Sequence, residues 1–223
     1  MGDSNLGELI QSVCIYIIPL IFAITVHEAS HAKAAYMLGD DTASLLGRTS
    51  LNPARHIDPV GTILMPLFFL IMTQGMFTFG YAKPVPVNPV RIRKTSMSRG
   101  MQIVALAGPL SNLVMAFIWA VLFAVVMKFT NLDSFFQQVC QAGIAINLSL
   151  FAFNLFPLLP LDGGRVLNGF LSRNLSNMFE KIEPYGIWIV IILSYTTPII
   201  YEYWMRPIIS FLSLFLFGLM SFI

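Results

Sequence analysis

The chain has 223 residues, of which 57% are hydrophobic and only 11% charged, and its mean hydropathy is +0.76. Soluble domains carry about 25% charged residues, so an ordinary water-facing surface is excluded and most of the exterior must meet lipid. The net charge of +2 comes from scattered basic residues and offers none of the basic patches that nucleic acid requires.

The first apolar segment spans 9–38 and ends in "ITVHEASHAKAAYM". It lacks a basic leader and a small-residue cleavage site, so it is expected to stay in the mature protein. His27, Glu28 and His31 fit H-E-x-x-H, which places two imidazoles a helical turn apart on one face. Such a pair can bind one zinc ion, and the glutamate beside them can take a proton from a water that the metal acidifies. Two histidines at that spacing can also do no more than hydrogen-bond at a helix end. Inside an apolar segment that alternative weakens, because a charged side chain there costs about 2.5–3.5 kcal/mol on insertion scales and usually marks function.

A loop with His56 follows, read either as a solvated histidine or as a group that orients a ligand or gates access. The next apolar segment, 60–73, has 14 residues, short of the roughly 20 that cross a bilayer core. "YAKPVPVNP" (81–89) suggests a small strand or hairpin element. Its prolines remove donors from one edge and leave the amides of Val85 and Val87 on the other, to pair with an extended peptide or merely to anchor a turn.

Longer apolar segments follow at 102–127 and 137–159. Gly108, Pro109 and Asn112 in the first are read mainly as packing residues. After the second come Asp162, Gly163 and Gly164. Segments 185–204 and 207–223 complete the chain. Cys14 and Cys140 lie in apolar runs and read as small hydrophobes, so neither a disulfide framework nor a zinc ribbon is expected. Trp119, Trp188 and Trp204 are assigned to interfacial or lipid-facing positions. The expected fold is an all-α polytopic membrane protein of five or six transmembrane helices with a re-entrant segment. It forms one domain over 1–223, with a catalytic core at about 8–170 and C-terminal helices at about 183–223.

Loop charges orient it. The first eight residues carry no Lys or Arg, whereas Lys33, Arg48 and Arg55 follow the first segment and Lys83, Arg91, Arg93, Lys94 and Arg99 follow the second. The positive-inside rule then puts the N-terminus outside and both flanks of 60–73 in the cytoplasm, so that segment should enter and return.

A zinc site needs a third protein ligand. Asp162 is either that ligand or a helix cap, and depth decides between them. His27 lies about 27 Å along the helix from Leu9, close to the inner face of a bilayer core about 30 Å thick. In this topology the segment leading to Asp162 also runs inward. The loop charges and the missing ligand select one arrangement independently.

In combination, HEASH at 27–31, "ALAGPLSN" at 105–112 and "FNLFPLLPLDGG" at 153–164 resemble the three core motifs of the site-2 protease family of intramembrane zinc metalloproteases. "LNPARHIDPVGT" and "YAKPVPVNP" resemble segments of its short bacterial members. The resemblance implies one Zn2+ per chain held by His27, His31 and Asp162, Glu28 as general base, and Asn154 near the reacting carbonyl. It implies substrates that are themselves transmembrane, single-pass proteins, and residence in the bacterial cytoplasmic membrane with the active site near its inner face. Asn112 is placed as a further candidate near the site. No PDZ or CBS domain is expected. A zinc transporter or channel, and a catalytically silent binding protein of the same fold, are the alternatives.

Overall fold

The computed structural model describes residues 3–56, 58–65, 68, 83–129 and 134–220. Helices account for nearly all of its regular structure, as lipid demands: a backbone without water partners must satisfy its own N–H and C=O groups. Helix α1 (Asp3–Met37) is followed by the single-turn α2 (Thr42–Leu45), α3 (Met97–Phe129) and α4 (Ser134–Asn154). After α4 come α5 (Asp162–Asn168), α6 (Arg173–Glu180) and α7 (Glu183–Thr196). A π-helical run, Ile199–Met205, then leads into α8 (Arg206–Met220).

Four helical stretches among the described residues are long and apolar enough to cross a membrane: Val13–Met37, Met97–Lys128, Phe135–Asn154 and Ile199–Gly218. The five or six expected are not found among the described residues. The expected 185–204 segment is interrupted at Thr197, which is extended (φ −137°, ψ 153°) because the following Pro198 disfavours a helical residue before it. This leaves α7 with 14 residues, about 21 Å.

The bundle core is built with small residues inside and large ones outside. Ala23, Ala29, Ala32, Ala35, Ala116 and Ala120 are buried, whereas Phe22, Val114, Phe117 and Leu122 are exposed. Lipid supplies no hydrophobic force between helices, so close backbone approach and dispersion must hold them together. Ile144 and Leu148 of α4 pack on Ala116 and Ala120 of α3, and Leu216 of α8 joins them. Trp119 belongs to this interior rather than to the lipid face: its ring lies where a Cβ on Gly143 would stand, within 2.3 Å. Trp204 also turns inward, donating to the Ala152 carbonyl at 2.8 Å, while Trp188 is exposed as expected.

These contacts fix helix direction. Asn112 meets Ala23 and Val104 meets His31, so α3 runs antiparallel to α1; Ile15 packs on Val139 and Ala142, so α4 runs with α1. The C-terminal ends of α1 and α4 thus share one end of the bundle. Between α1 and α3 the chain departs after His56 and is back at Lys83, whose N–H donates to the His56 carbonyl at 3.0 Å. Half of the expected re-entrant segment lies outside the described residues, which include its start in a π-helical turn, Pro59–Leu64, then Met65 and Phe68.

No strand occurs among the described residues, so the expected hairpin element is not found in its described part, 83–88. With prolines at 84, 86 and 89 this stretch lacks the donors for a ladder, and side chains anchor it instead. At one end Asp40, 0% exposed, accepts the Asn88 N–H at 2.6 Å. Burial alone would push the Asp40 carboxyl up. Bonds from the Thr42 hydroxyl and the Asn88 and Thr42 amides, with the nearby Arg91 charge, instead hold it below its ordinary value of 3.8. A depressed folded-state value gives stability that is complete above that ordinary value and fades as pH falls through the folded one. Asp40→Asn should lower stability by about 1–3 kcal/mol at neutral pH. In detergent melts, wild type should lose more Tm than the variant between pH 7 and pH 3.

Candidate metal centre

Three polar side chains from two helices converge at the shared end of α1 and α4. His27 and His31 present their Nε2 atoms 3.0 Å apart from successive turns of α1. Asp162, at the start of α5, places Oδ2 3.2 Å from the first and 3.3 Å from the second. Both histidines are 8% exposed.

The far side of each ring fixes its tautomer. His27 Nδ1 lies 2.6 Å from Asn112 Oδ1 and His31 Nδ1 lies 2.7 Å from the Val104 carbonyl. Both partners are acceptors, so each Nδ1 carries the proton and each Nε2 in a neutral ring presents a lone pair. The amide orientation of Asn112 is set by its neighbours: Nδ2 donates to Ala23 O and to Asn147 Oδ1, and Asn147 Nδ2 donates to Gly143 O at 2.8 Å. A relay of two buried amides thus links the backbone of α4 to the His27 ring. Pro109 lacks the N–H that would bond the Ala105 carbonyl and so loosens α3 in the turn that follows Val104, whose own carbonyl takes the His31 ring.

Two lone pairs and a carboxylate facing one point repel unless a cation joins them. Bonds of about 2.0–2.1 Å in a tetrahedral site put ligand atoms about 3.3 Å apart, and the three separations here are 3.0, 3.2 and 3.3 Å. The set fits one tetrahedral divalent cation with a fourth position open, and it is the one cluster of three or more potential ligands among the described residues that could hold a metal.

Glycine makes the space. A Cβ on Gly108 would stand 2.3 Å from His31 Nε2 and 2.6 Å from His27 Nε2, so α3 can pass this close to the centre only without a side chain there. Gly163 and Gly164 likewise sit against the backbone of 155–159, letting α5 fold back directly after α4.

Glu28 lies beside the pair, partly buried, and its Oε2 accepts the Val85 N–H at 3.2 Å. The Val85 amide, expected to face a substrate strand, is therefore engaged within the protein. Asn154 ends α4 and donates to Leu150 O one turn back; no bond joins it to the cluster among the described residues. His56 is not solvated but 1% exposed, with Nε2 on the Ser50 carbonyl at 2.7 Å, and no hydrogen bond joins it to the cluster among the described residues. The Val87 amide makes no hydrogen bond among the described residues. Asn112, read mainly as packing, bonds the His27 ring as well as the neighbouring helices. Asn147 went unread, although a lone amide in an apolar run was its signal.

A family model for peptidase family M50 matches residues 130–195. Two bacterial relatives bear the name "Putative zinc metalloprotease". YwhC of Bacillus subtilis is 40% identical over 192 residues, covering 82% of this chain and 80% of that protein. The chain belongs to peptidase family M50, the site-2 protease family. Rip2 of Mycolicibacterium smegmatis is 28% identical across 79% of this chain and 64% of its own length, so the chain spans somewhat under two thirds of that relative. No solved structure matches.

Asn112→Ala removes the acceptor that orients His27 and should weaken zinc affinity about 10- to 100-fold. Gly108→Ala should do so by displacing both imidazoles. Chelator competition on purified protein measures both, and wild-type affinity in either variant rejects the role given to that residue.

Proposed function

We propose that this family M50 protein is an intramembrane zinc endopeptidase that cuts peptide bonds within or near the transmembrane helix of single-pass membrane proteins. The observation that carries the reading is the three-ligand cluster with Glu28 adjacent in sequence, set in the C-terminal half of an apolar helix. His27, His31 and Asp162 would hold zinc, which when bound polarises a scissile carbonyl and acidifies a water.

The protein's own residues do the rest. The Nδ1 bonds to Asn112 and Val104 stop the imidazoles from rotating. The second oxygen of Glu28, Oε1, makes no bond among the described residues and is the atom that takes the water's proton and returns it to the departing amine. A helical substrate hides its carbonyls in i to i−4 bonds, so it must unwind before it is cut. Asn154 would approach the carbonyl oxygen only after leaving Leu150, and the amide of Val87, unbonded among the described residues, would be available to an extended substrate.

The shared end of α1 and α4, with the basic loops on that side, supports a centre near the cytoplasmic face of a bacterial inner membrane with the N-terminus outside. The His56–Lys83 pairing supports a 60–73 segment that enters and returns. Regulated proteolysis of membrane-anchored proteins is the cellular role that fits. A transporter would need a series of polar stations across the bilayer, and among the described residues a single three-ligand cluster occurs. A silent binding protein would need Glu28 only for its bond to Val85.

The test uses a synthetic single-pass helix with a central Gly-Pro break and a fluorophore at each end, reconstituted with the protein. Wild type should cleave it, Glu28→Gln should retain zinc and lose at least about 10²-fold in rate, and His27→Ala or Asp162→Ala should lose zinc and activity together. Cleavage by Glu28→Gln at the wild-type rate refutes the assignment.

A further inference from the structure

We infer that residues 83–88 form a rigid strap whose Val85 amide holds the Glu28 carboxylate in its working orientation, and that the buried guanidinium of Arg48 is the positioning residue that sets the strap's register. The inference rests on the reading of Glu28 as general base.

The strap is stiff by composition. Pro84 and Pro86 fix φ at their own positions, and each restricts the residue before it to extended backbone. Between Lys83 and Asn88 only Val85 and Val87 retain an N–H, and that of Val85 goes to Glu28 Oε2. A stiff segment transmits position from its anchors, and this one is anchored at both ends by buried charged side chains. At the far end Asp40 takes the Asn88 N–H.

At the near end Arg48, 5% exposed, reaches across two loops. Its Nη1 donates to the Arg55 carbonyl and its Nη2 to the carbonyls of Lys83 and Pro84, the latter at 3.3 Å. Pro84 is the residue immediately before Val85. The Lys83 N–H adds a bond to the His56 carbonyl, so the same two loops are joined by backbone as well. Arg48 makes no ion pair with a carboxylate among the described residues. Its buried charge is compensated by carbonyls alone, an arrangement that burial makes expensive unless it fixes something. A guanidinium can span both loops at once because its donors form a planar fork; an ammonium cannot.

The consequence falls on Glu28. A carboxylate at the end of a flexible side chain must otherwise be oriented at each turnover, and a misplacement of about 1 Å can cost about 10²-fold in rate. With Oε2 tied to Val85, Oε1 is directed toward the reacting water. The strap therefore governs turnover and leaves metal binding, which depends on α1, α3 and α5, unaffected.

The decisive comparison is Val85→Pro, which deletes the N–H, against Val85→Ala, which keeps it, both as full-length reconstituted protein acting on the Gly-Pro helix described above. Val85→Pro should have a kcat about 10- to 100-fold below that of Val85→Ala, with the two variants alike in KM and zinc content. Arg48→Lys should show the same signature, with kcat lowered and KM and zinc content retained. It carries the decision if Val85→Pro does not hold zinc. Equal kcat in the two Val85 variants overturns the inference. So does a raised KM with unchanged kcat, which would assign the amide to substrate binding. If Glu28→Gln is inactive while the two Val85 variants turn over alike, the strap fails and the general base stands; if Glu28→Gln is active, the base itself fails.

Discussion

Three polar atoms that cannot satisfy one another are held within 3.3 Å at the end of an apolar bundle, and the rest of the structure is arranged around that constraint. Two imidazole lone pairs and an anionic oxygen in such a place are tolerable only with a cation between them. The cluster therefore explains why α1 and α4 must finish at the same end of the molecule, and why the chain turns sharply after Asn154 to bring Asp162 back over α1.

Packing and chemistry are served by the same small residues. Gly108 admits α3 against the two imidazoles, and one turn earlier Val104 O takes the His31 ring. The motif "ALAGPLSN" thus supplies space and, through Asn112, an amide acceptor for the ring of His27, and the residue just before it supplies the carbonyl for His31. Membrane helices gain little from burying apolar surface against one another, so a close approach that also satisfies polar groups contributes to both stability and site geometry.

The parts legible in the sequence were those written in local pattern or in direction. H-E-x-x-H is a spacing on one helix, and Asp162 followed from chain direction and loop charge, both readable without a fold. The partner of an isolated polar residue was not legible. Nothing in "GIAINLSL" says that Asn147 faces Asn112, and Arg48 in "LLGRTS" looks like any loop cation until the structure shows it buried between two loops. The strand near Glu28 was overread. Alternating prolines give extended backbone, but extension needs a ladder only where no side chain takes its place, and here Arg48, Asp40 and Glu28 do. The C-terminal spans were miscounted because hydropathy does not register the break at Thr197 and Pro198.

X-ray absorption at the zinc edge tests the central claim most directly, because it reads the ligand atoms around the metal rather than a consequence of binding. One zinc per chain should show two imidazole nitrogens and oxygen ligation at about 2.0–2.1 Å, with one imidazole lost in His31→Ala. A sulfur shell at about 2.3 Å, or a spectrum that His31→Ala and Asp162→Ala leave unchanged, would contradict the account.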